Sequence, residues 1–311
     1  LHIKADGIDA IHEEETGQTV DEVLVLSRHV SASQTPALTL HAIGVPGETP
    51  HGEPGQAGGL KGAVVPPSPR FAPLYRAMLD LARARGLDEE FDLTLEATHH
   101  GPLLERPTLY IEIGSTIEQW ERREAADVWA EVISRNLGLS GQPPVEWQPG
   151  GDVMIGLGGG HYAPRHKAVL SESELWAGHI LANYALPFEE PDGDSAPAGA
   201  WRHSLEVSVR ATREAFPGGN LFAHLDRKSF KAGHRNPTPQ LPLECDGPGG
   251  TLTGRTMPAT EPSHANDAHA TPPLRILYVA LAYASAHPPR GRSFTPWTLY
   301  APPRMIGPGT T

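Results

Sequence analysis

The chain has 311 residues, a hydrophobic fraction of 39% and a formal net charge of −12. That leaves room for one large α/β domain or two small ones, and argues against DNA or any other nucleic acid binding non-specifically over the whole surface. A single cysteine, Cys245, excludes an intramolecular disulfide and a multi-cysteine zinc knuckle, so any metal would rest on His and carboxylates in a reducing compartment.

With 33 glycines and 32 prolines, much of the chain must be loop. No apolar run approaches the ~18 residues of a membrane span, and no basic segment leads into an apolar one as in a secretory leader. A soluble cytoplasmic protein without a membrane partner is expected, and a monomer. The chain begins at Leu1, close to its first strand-like run, which suggests an N-terminally truncated sequence.

In chain order, residues 22–26 form a β-rich run ending in Ser27-Arg28-His29, and 37–43 form a second run carrying His41. Residues 44–62 are rich in Gly and Pro without periodicity and predict a mobile loop. Phe71, Leu74, Met78 and Leu81 or Ala82 recur at helical spacing, so a helix over 71–85 stopped by Gly86 is expected. Two β-runs follow, 91–97 and 108–113, separated by the loop 98–107. The spacing then predicts one long helix over 117–137, with Trp120, Val128, Val132 and Ile133 for its buried face. Ser115 with Glu118, and Thr116 with Gln119, both match the capping box.

A strand over 152–157 precedes the turn Gly158-Gly159-Gly160-His161-Tyr162, and a helix opening at Ser171 and including His179 is expected next. An amphipathic helix over 204–216 closes the regular part. Beyond about Pro237, Pro, Gly and Thr dominate and the only apolar run is 274–284, so a domain over 1–236 followed by a disordered tail over 237–311 is expected.

The polar motifs sit at the ends of the apolar runs, where open α/β sheets build ligand crevices. Glu96-Ala97-Thr98-His99-His100-Gly101-Pro102 sets a carboxylate and two imidazoles after a strand. Adjacent residues of an extended chain point to opposite faces, a restriction that a Gly-Pro turn relaxes. His99 or His100, His161 and Glu96 are chemically suited to zinc, although a lone histidine is more often hydrogen-bonded structure. His41 reads as structural unless its face lines the crevice.

The glycine turn fails the dinucleotide fingerprint and the Walker loop. It leaves a closely approached backbone whose N–H groups suit a phosphate or an oxyanion. Ser115 and Thr116 read first as helix caps, on a helix end that also suits an oxyanion. Ser27-Arg28-His29 joins a donor, a cation and an imidazole. If 91–97 and 108–113 form a simple hairpin, the His-His loop and Ser115 lie at opposite ends of the sheet. The motifs converge only if the connection crosses over or the sheet is mixed.

Together, Ser27-Arg28-His29, the run from Glu96 to Pro102, Glu112 to Thr116 with Gln119-Trp120, and the run from Gly156 to Pro164 resemble the D-aminoacyl-tRNA deacylases of the archaeal and plant type. The resemblance runs from about Val23 to Asn236, and Gly178-His179 and Asp226-Arg227-Lys228 match it too. It implies a zinc-associated esterase that cleaves a D-amino acid, and an aldehyde-modified aminoacyl group as a second substrate class, from the tRNA 3′ end. The fold it implies is a three-layer α/β/α sandwich with a mixed sheet, like the nucleoside phosphorylase and peptidyl-tRNA hydrolase group. It also implies a strand and a helix ahead of Leu1.

On that basis His99, His100 and His161 serve as ligands or base, with Glu96, Arg28 and Thr98 beside them as further catalytic candidates. His29, Ser115, Thr116, Gly158, Gly159, Gly160, Tyr162 and Lys228 are substrate-binding candidates, with Lys231 and Arg235 as further tRNA phosphate contacts. Two other readings of the same residues are a histidine-based metallo-amidase or peptidase and a non-catalytic tRNA-binding module.

Overall fold

The structure, a computed structural model, describes residues 5–47, 58–189, 199–230 and 276–280. Helix α1 (Ile8–Thr16) leads into strands β1 (Glu22–Arg28), β2 (Ala37–His41), β3 (Gly44–Val45) and β4 (Ala63–Val64), then helix α2 (Phe71–Ala84). Strands β5 (Asp92–Leu93) and β6 (Thr108–Gly114) precede α3 (Ile117–Trp120) and α4 (Arg123–Asn136). Then come β7 (Asp152–Leu157), α5 (Pro164–Ser171), β8 (Trp176–Leu181), α6 (Trp201–Ala215), β9 (Asn220–Leu225) and β10 (Ile276–Ala280).

Two sheets carry the site. The larger has the order β10-β1-β6-β2-β5 and the smaller the order β8-β7-β9. The larger is mixed: β1 runs parallel to β6, whereas β6 is antiparallel to β2 and β2 parallel to β5. The smaller is parallel throughout. No hairpin joins β5 to β6, because β2 lies between them and the 98–107 connection crosses over it. The C-terminal ends of β2 and β5 therefore share one end of the sheet, and Ser115 after β6 lies toward the other.

Residues 94–98 stitch the sheets together. Thr94 and Glu96 N–H continue along β2, donating to Leu38 and Leu40 C=O at 2.9 and 3.1 Å. Ala97 and Thr98 N–H then turn to His161 and Ile180 C=O, both at 2.7 Å. The run expected over 91–97 is thus a strand ladder only at its start and a seam at its end.

Side-chain alternation divides the core. Leu24, Leu38, Leu40, Ile111 and Met154 pack with α2 and α4, while Val153 and Ile155, the neighbours of Met154 along β7, pack with Trp201, Leu205 and Val209 of α6. Successive strand residues face opposite sides, so α2 and α4 cover one face of β7 and α6 the other.

Several elements differ from the sequence expectation. The long helix breaks at Arg122, whose backbone is extended (φ −69°, ψ 108°) and whose guanidinium grips Glu90 and Glu124. The helix placed at Ser171 in fact ends there, and His179 lies in β8, a strand buried almost throughout; parallel strands covered on both faces lose the alternating pattern that would reveal them. Part of the expected loop 44–62 is ordered by the β3–β4 pairing, and residues 48–57 lie outside the described residues.

In the tail, Ile276–Ala280 pairs in parallel with β1 over its first five residues. That segment is therefore part of the sheet, at an edge that β1 would otherwise present unpaired. The rest of 237–311 lies outside the described residues.

Helix α1, absent from the sequence expectation, has almost no apolar stripe. It is held by carboxylates instead: Asp9 Oδ2 accepts the N–H groups of Glu105 and Arg106 at 2.7 and 2.8 Å, and Asp6 Oδ1 accepts Leu103 N–H at 2.7 Å. These bonds fix the far half of the loop that begins with His99 and His100. Among the described residues no helix is long and apolar enough to cross a membrane.

Candidate active site

Glu96 is fully buried on the seam between the sheets, and three imidazoles from distant parts of the chain converge on it. His161 Nε2 lies 2.8 Å from Oε2, His99 Nε2 lies 3.4 Å from Oε2, and His29 Nδ1 lies 3.1 Å from Oε1. Glu112, on β6, is the second carboxylate, 3.6 Å from His29 Nδ1 and 3.7 Å from His41 Nε2. The rings of His41, His99 and His100 form a close group, with His99 at 4.1 Å centroid distance from each of the other two and 4.5 Å from His161.

The adjacent His99 and His100 both join this group because the backbone turns there. His100 has φ 22° and Gly101 φ 100°, the left-handed region that glycine tolerates without strain. A Cβ on Gly101 would stand 2.7 Å from Ile43 Cβ. His100 C=O accepts Gly44 N–H at 2.8 Å, which closes the turn onto β3.

Electrostatics sort these groups into charged and neutral. Burial disfavours charge on His29, but Glu112 and Glu96 outweigh it and lift its pKa to about 11, so it is an imidazolium. Burial also works against the Glu96 anion, yet the contacts from His161 and His29 hold its pKa well below the usual carboxylate range. Burial and the neighbouring His41 push His99 well below an ordinary histidine and His100 down to about 4, so both are neutral.

Hydrogen bonds fix the tautomers. His99 Nδ1–H donates to Ala97 C=O at 2.9 Å and His41 Nδ1–H to Ala42 C=O at 3.0 Å, which turns the lone pair of each Nε2 inward. His41 Nε2 and both oxygens of Glu96 are buried without a well-directed hydrogen bond. A lone pair on His99 Nε2 facing a carboxylate oxygen is repulsive unless a cation lies between them. Three groups of ligand atoms each lie within 4.8 Å of one another: His41 with His99 and His100, Glu96 with His99 and His161, and His29 with Glu96 and Glu112. This donor set fits a divalent metal.

The sequence candidates divide cleanly. Glu96, His99, His100, His161 and His29 come together, and Tyr162 joins them through His29 Nε2, 3.0 Å from its hydroxyl. Thr98 does not: its Oγ1 is held between His179 Nδ1 at 2.9 Å and Ile180 N–H at 3.2 Å. Arg28 points the other way along its strand, its guanidinium 4.3 Å above the Trp120 ring. Ser115 Oγ donates to Thr35 C=O at 2.6 Å, and Gln119 Oε1 accepts the Thr116 N–H at 3.1 Å as a capping box requires.

In the glycine turn, Gly158 N–H donates to Leu181 C=O at 2.8 Å, and Gly159 N–H to Ser229 Oγ at 2.9 Å and Asn183 Oδ1 at 3.2 Å. The internal bonding thus claims two of the three donors expected for an oxyanion, and Gly160 is the exposed member. Lys228 follows β9, whose C-terminal end lies beside the same turn, and its N–H caps Asp226 Oδ1 at 3.2 Å. Lys231 and Arg235 lie outside the described residues.

Sequence reasoning gave no role to Glu112, Tyr184 or the pair His166 and His224. Tyr184 hydroxyl lies 3.1 Å from His161 Nδ1, and burial and the Glu96 charge raise its pKa so that it stays protonated. His166 is wholly buried behind the glycine turn, with Nε2 3.2 Å from Gly158 C=O and Nδ1 2.8 Å from His224 Nδ1. Of these, Glu112 alone stands in a motif, the run Glu112 to Thr116, and the alternation of β6 would have pointed it inward; Tyr184, His166 and His224 carry no such signal.

The family model described as D-aminoacyl-tRNA deacylase matches residues 16–242. A D-aminoacyl-tRNA deacylase of Arabidopsis thaliana is 45% identical over 239 residues, covering 74% of this chain and 75% of that protein. One of Methanosarcina mazei is 34% identical over 236 residues, covering 76% and 68%. A solved crystal structure of a conserved protein of unknown function, AF0625, superposes with a TM-score of 0.57 at 28% identity over 75% of this chain and 71% of that one.

Proposed function

The chain belongs to the D-aminoacyl-tRNA deacylase family, and from that premise we infer that the cluster around Glu96 is where it hydrolyses the ester of D-aminoacyl-tRNA to free D-amino acid and tRNA. An aminoacyl ester is already activated, so the site has to place a water and stabilise an oxyanion without needing a covalent intermediate.

The observation that carries the assignment is the series Glu96, His161, Tyr184. A protonated phenol donates its proton, so Tyr184 hydroxyl faces an unprotonated His161 Nδ1, and Nε2–H of the same ring faces the Glu96 carboxylate. Carboxylate, imidazole and hydroxyl stand in the order by which hydrolases orient a general base. A water that takes the place of the Tyr184 hydroxyl at Nδ1 gives up its proton there, and Glu96 stabilises the imidazolium that forms. His161 keeps contact with solvent, its side chain 18% exposed against 0% for Glu96 and 7% for His29.

The His29 imidazolium supplies fixed positive charge toward a developing oxyanion. Its Nε2–H holds the Tyr162 hydroxyl, which leaves the phenolic proton for the substrate or for Ser31 Oγ at 3.4 Å. Gly160 N–H is a second donor at the mouth. Discrimination against L-aminoacyl esters rests on walls that clash with the wrong stereoisomer, for which the Tyr162 and Tyr184 rings, 5.1 and 6.3 Å from that of His161, are the nearby bulk.

His99, with His41 and His100 or with Glu96 and His161, would hold zinc; the inward lone pairs and unsatisfied oxygens of this set support that reading. When bound, zinc supplies Lewis acidity toward a carbonyl or a water. We read the architecture as the three-layer α/β/α sandwich of the nucleoside phosphorylase and peptidyl-tRNA hydrolase group, and the protein as a cytoplasmic monomer in chiral proofreading. Aldehyde-modified aminoacyl-tRNA is a second substrate class.

The test is deacylation of D-Tyr-tRNA and L-Tyr-tRNA side by side. Hydrolysis of the D form alone, lost in His161→Ala, is expected; equal rates on the two stereoisomers reject the assignment.

A further inference from the structure

We propose that Trp120 and Arg28 form a stacking platform for the terminal adenine base of the tRNA, beside the site that cleaves its ester. The proposal rests on the deacylase reading and deepens it.

Its position follows from His29. The imidazole of that residue lies 3.1 Å from Glu96 at the reacting end, and its backbone C=O accepts the indole Nε1–H of Trp120 at 3.0 Å. One residue therefore spans the interval between the reaction centre and the indole. In an aminoacylated adenosine one ribose spans the interval between ester and base, so an ester placed at Glu96 brings its base to the neighbourhood of Trp120.

The surface there has the chemistry of a base-binding site. Trp120 is partly exposed, and the planar guanidinium of Arg28 lies 4.3 Å from its ring. Ile117, three residues earlier on α3 and so on the same side of that turn, is 55% exposed, and Val30, next to His29, is 73% exposed. Single exposed apolar residues are ordinary. Here two flank an aromatic ring and a cation at one place, whereas Ser31, the next residue along, reaches Tyr162 at the site itself.

Indole and guanidinium planes bind nucleobases by stacking, without reading their edges. That suffices for this substrate, because all tRNAs end in the same adenosine and the protein needs to recognise a base there, not to choose one. It also explains how a chain of net charge −12 takes hold of its substrate near the chemistry without relying on a broad cationic surface.

Two esters separate the platform from the reaction centre: 3′-D-alanyl-adenosine, which carries the base, and D-alanine methyl ester, which does not. In the full chain, Trp120→Ala is expected to lower the ratio of kcat/KM for the adenosyl ester to that for the methyl ester by roughly 10- to 100-fold. Trp120→Phe, which keeps a ring, should retain most of the ratio, and Arg28→Met should lower it about 2- to 5-fold.

Adenosine binding followed by ligand NMR line broadening is expected in the wild type and weakened in Trp120→Ala; it requires no turnover and therefore decides the matter even for an inactive preparation. An unchanged ratio in Trp120→Ala, no adenosine binding by the wild type, or a loss that tracks the amino-acid side chain in place of the base overturns the platform. Failure of the deacylase reading looks different: the wild type would then cleave neither D-ester, whatever its affinity for adenosine.

Discussion

His29 Nδ1 lies between two buried carboxylates, 3.1 Å from Glu96 and 3.6 Å from Glu112. Removing the imidazole leaves two anions in the interior with one cation fewer. Breaking a buried pair by deleting one partner costs ~3–5 kcal/mol, since the remaining charge keeps its desolvation penalty. His29→Ala should therefore lower the urea midpoint markedly, while the double variant His29→Ala with Glu112→Gln recovers part of the loss. Equal stability of His29→Ala and wild type would show that the imidazole is not charged.

Glu96 and His161 make a second prediction, on rate. If Glu96 orients His161 as the base, Glu96→Gln and His161→Ala each reduce kcat for D-Tyr-tRNA by ~10²- to 10⁴-fold, and the double variant is little worse than either single one, as for residues that act as a unit. Single-turnover deacylation reads both. Thr98→Val, by contrast, should act on stability through His179 and Ile180, and a kcat loss comparable to that of His161→Ala would place Thr98 in the chemistry after all.

Much of this arrangement was legible in the sequence, for identifiable reasons. Glu96, His99, His100 and His161 stand at the ends of apolar runs, and strand ends are where open α/β sheets build their ligand crevices. The geometry between them was hidden by topology: β2 separates β5 from β6, a non-local pairing that local patterning does not specify. His179 was misplaced because β8 is buried on both faces and its run carries no alternation. Glu112, Tyr184 and α1 were missed because their roles arise only from partners far along the chain, and the loss of the Gly158 and Gly159 donors depends on Asn183 and Ser229.

The proposed zinc site, based on the lone pairs of His41 and His99, makes a prediction of metal dependence. Dialysis against a chelator should abolish deacylation, with recovery on adding zinc, and metal content measured by atomic absorption should fall in His99→Ala more than in His161→Ala, because His99 belongs to two of the three ligand groups and His161 to one. Full activity at undetectable metal would leave Glu96, His161 and His29 as the whole machinery.

The glycine turn gives a steric contrast. A Cβ on Gly158 would meet Ser229 Oγ at 2.4 Å and the Phe230 ring at 2.5 Å, at φ 93°, whereas one on Gly160 meets nothing within 4 Å. Gly158→Ala should cost ~1–3 kcal/mol from crowding and left-handed strain. Gly160→Ala should fold normally, so a fall in kcat there reports on the mouth of the site alone. Paired melting curves and rates decide it.

Acid stability closes on His166 and His179, both wholly buried. Burial pushes their pKa values down to about 4 and about 3, below the 6.5 of an unfolded histidine. The unfolded chain therefore binds protons first as pH falls. The stability that these neutral rings contribute is fully present above pH ~6.5 and drains away toward pH ~4 for His166 and ~3 for His179, at up to ~1.4 kcal/mol per pH unit each. Carboxylates titrate only in the lower part of that window, so the upper part, between pH ~6.5 and ~5, isolates the histidines. Urea unfolding at pH 7.5, 6 and 5 should show this slope, and His179→Leu, which removes one titrating group, should flatten it even if the absolute stability changes. A slope identical to wild type in that variant would mean that His179 titrates alike in the folded and unfolded chains.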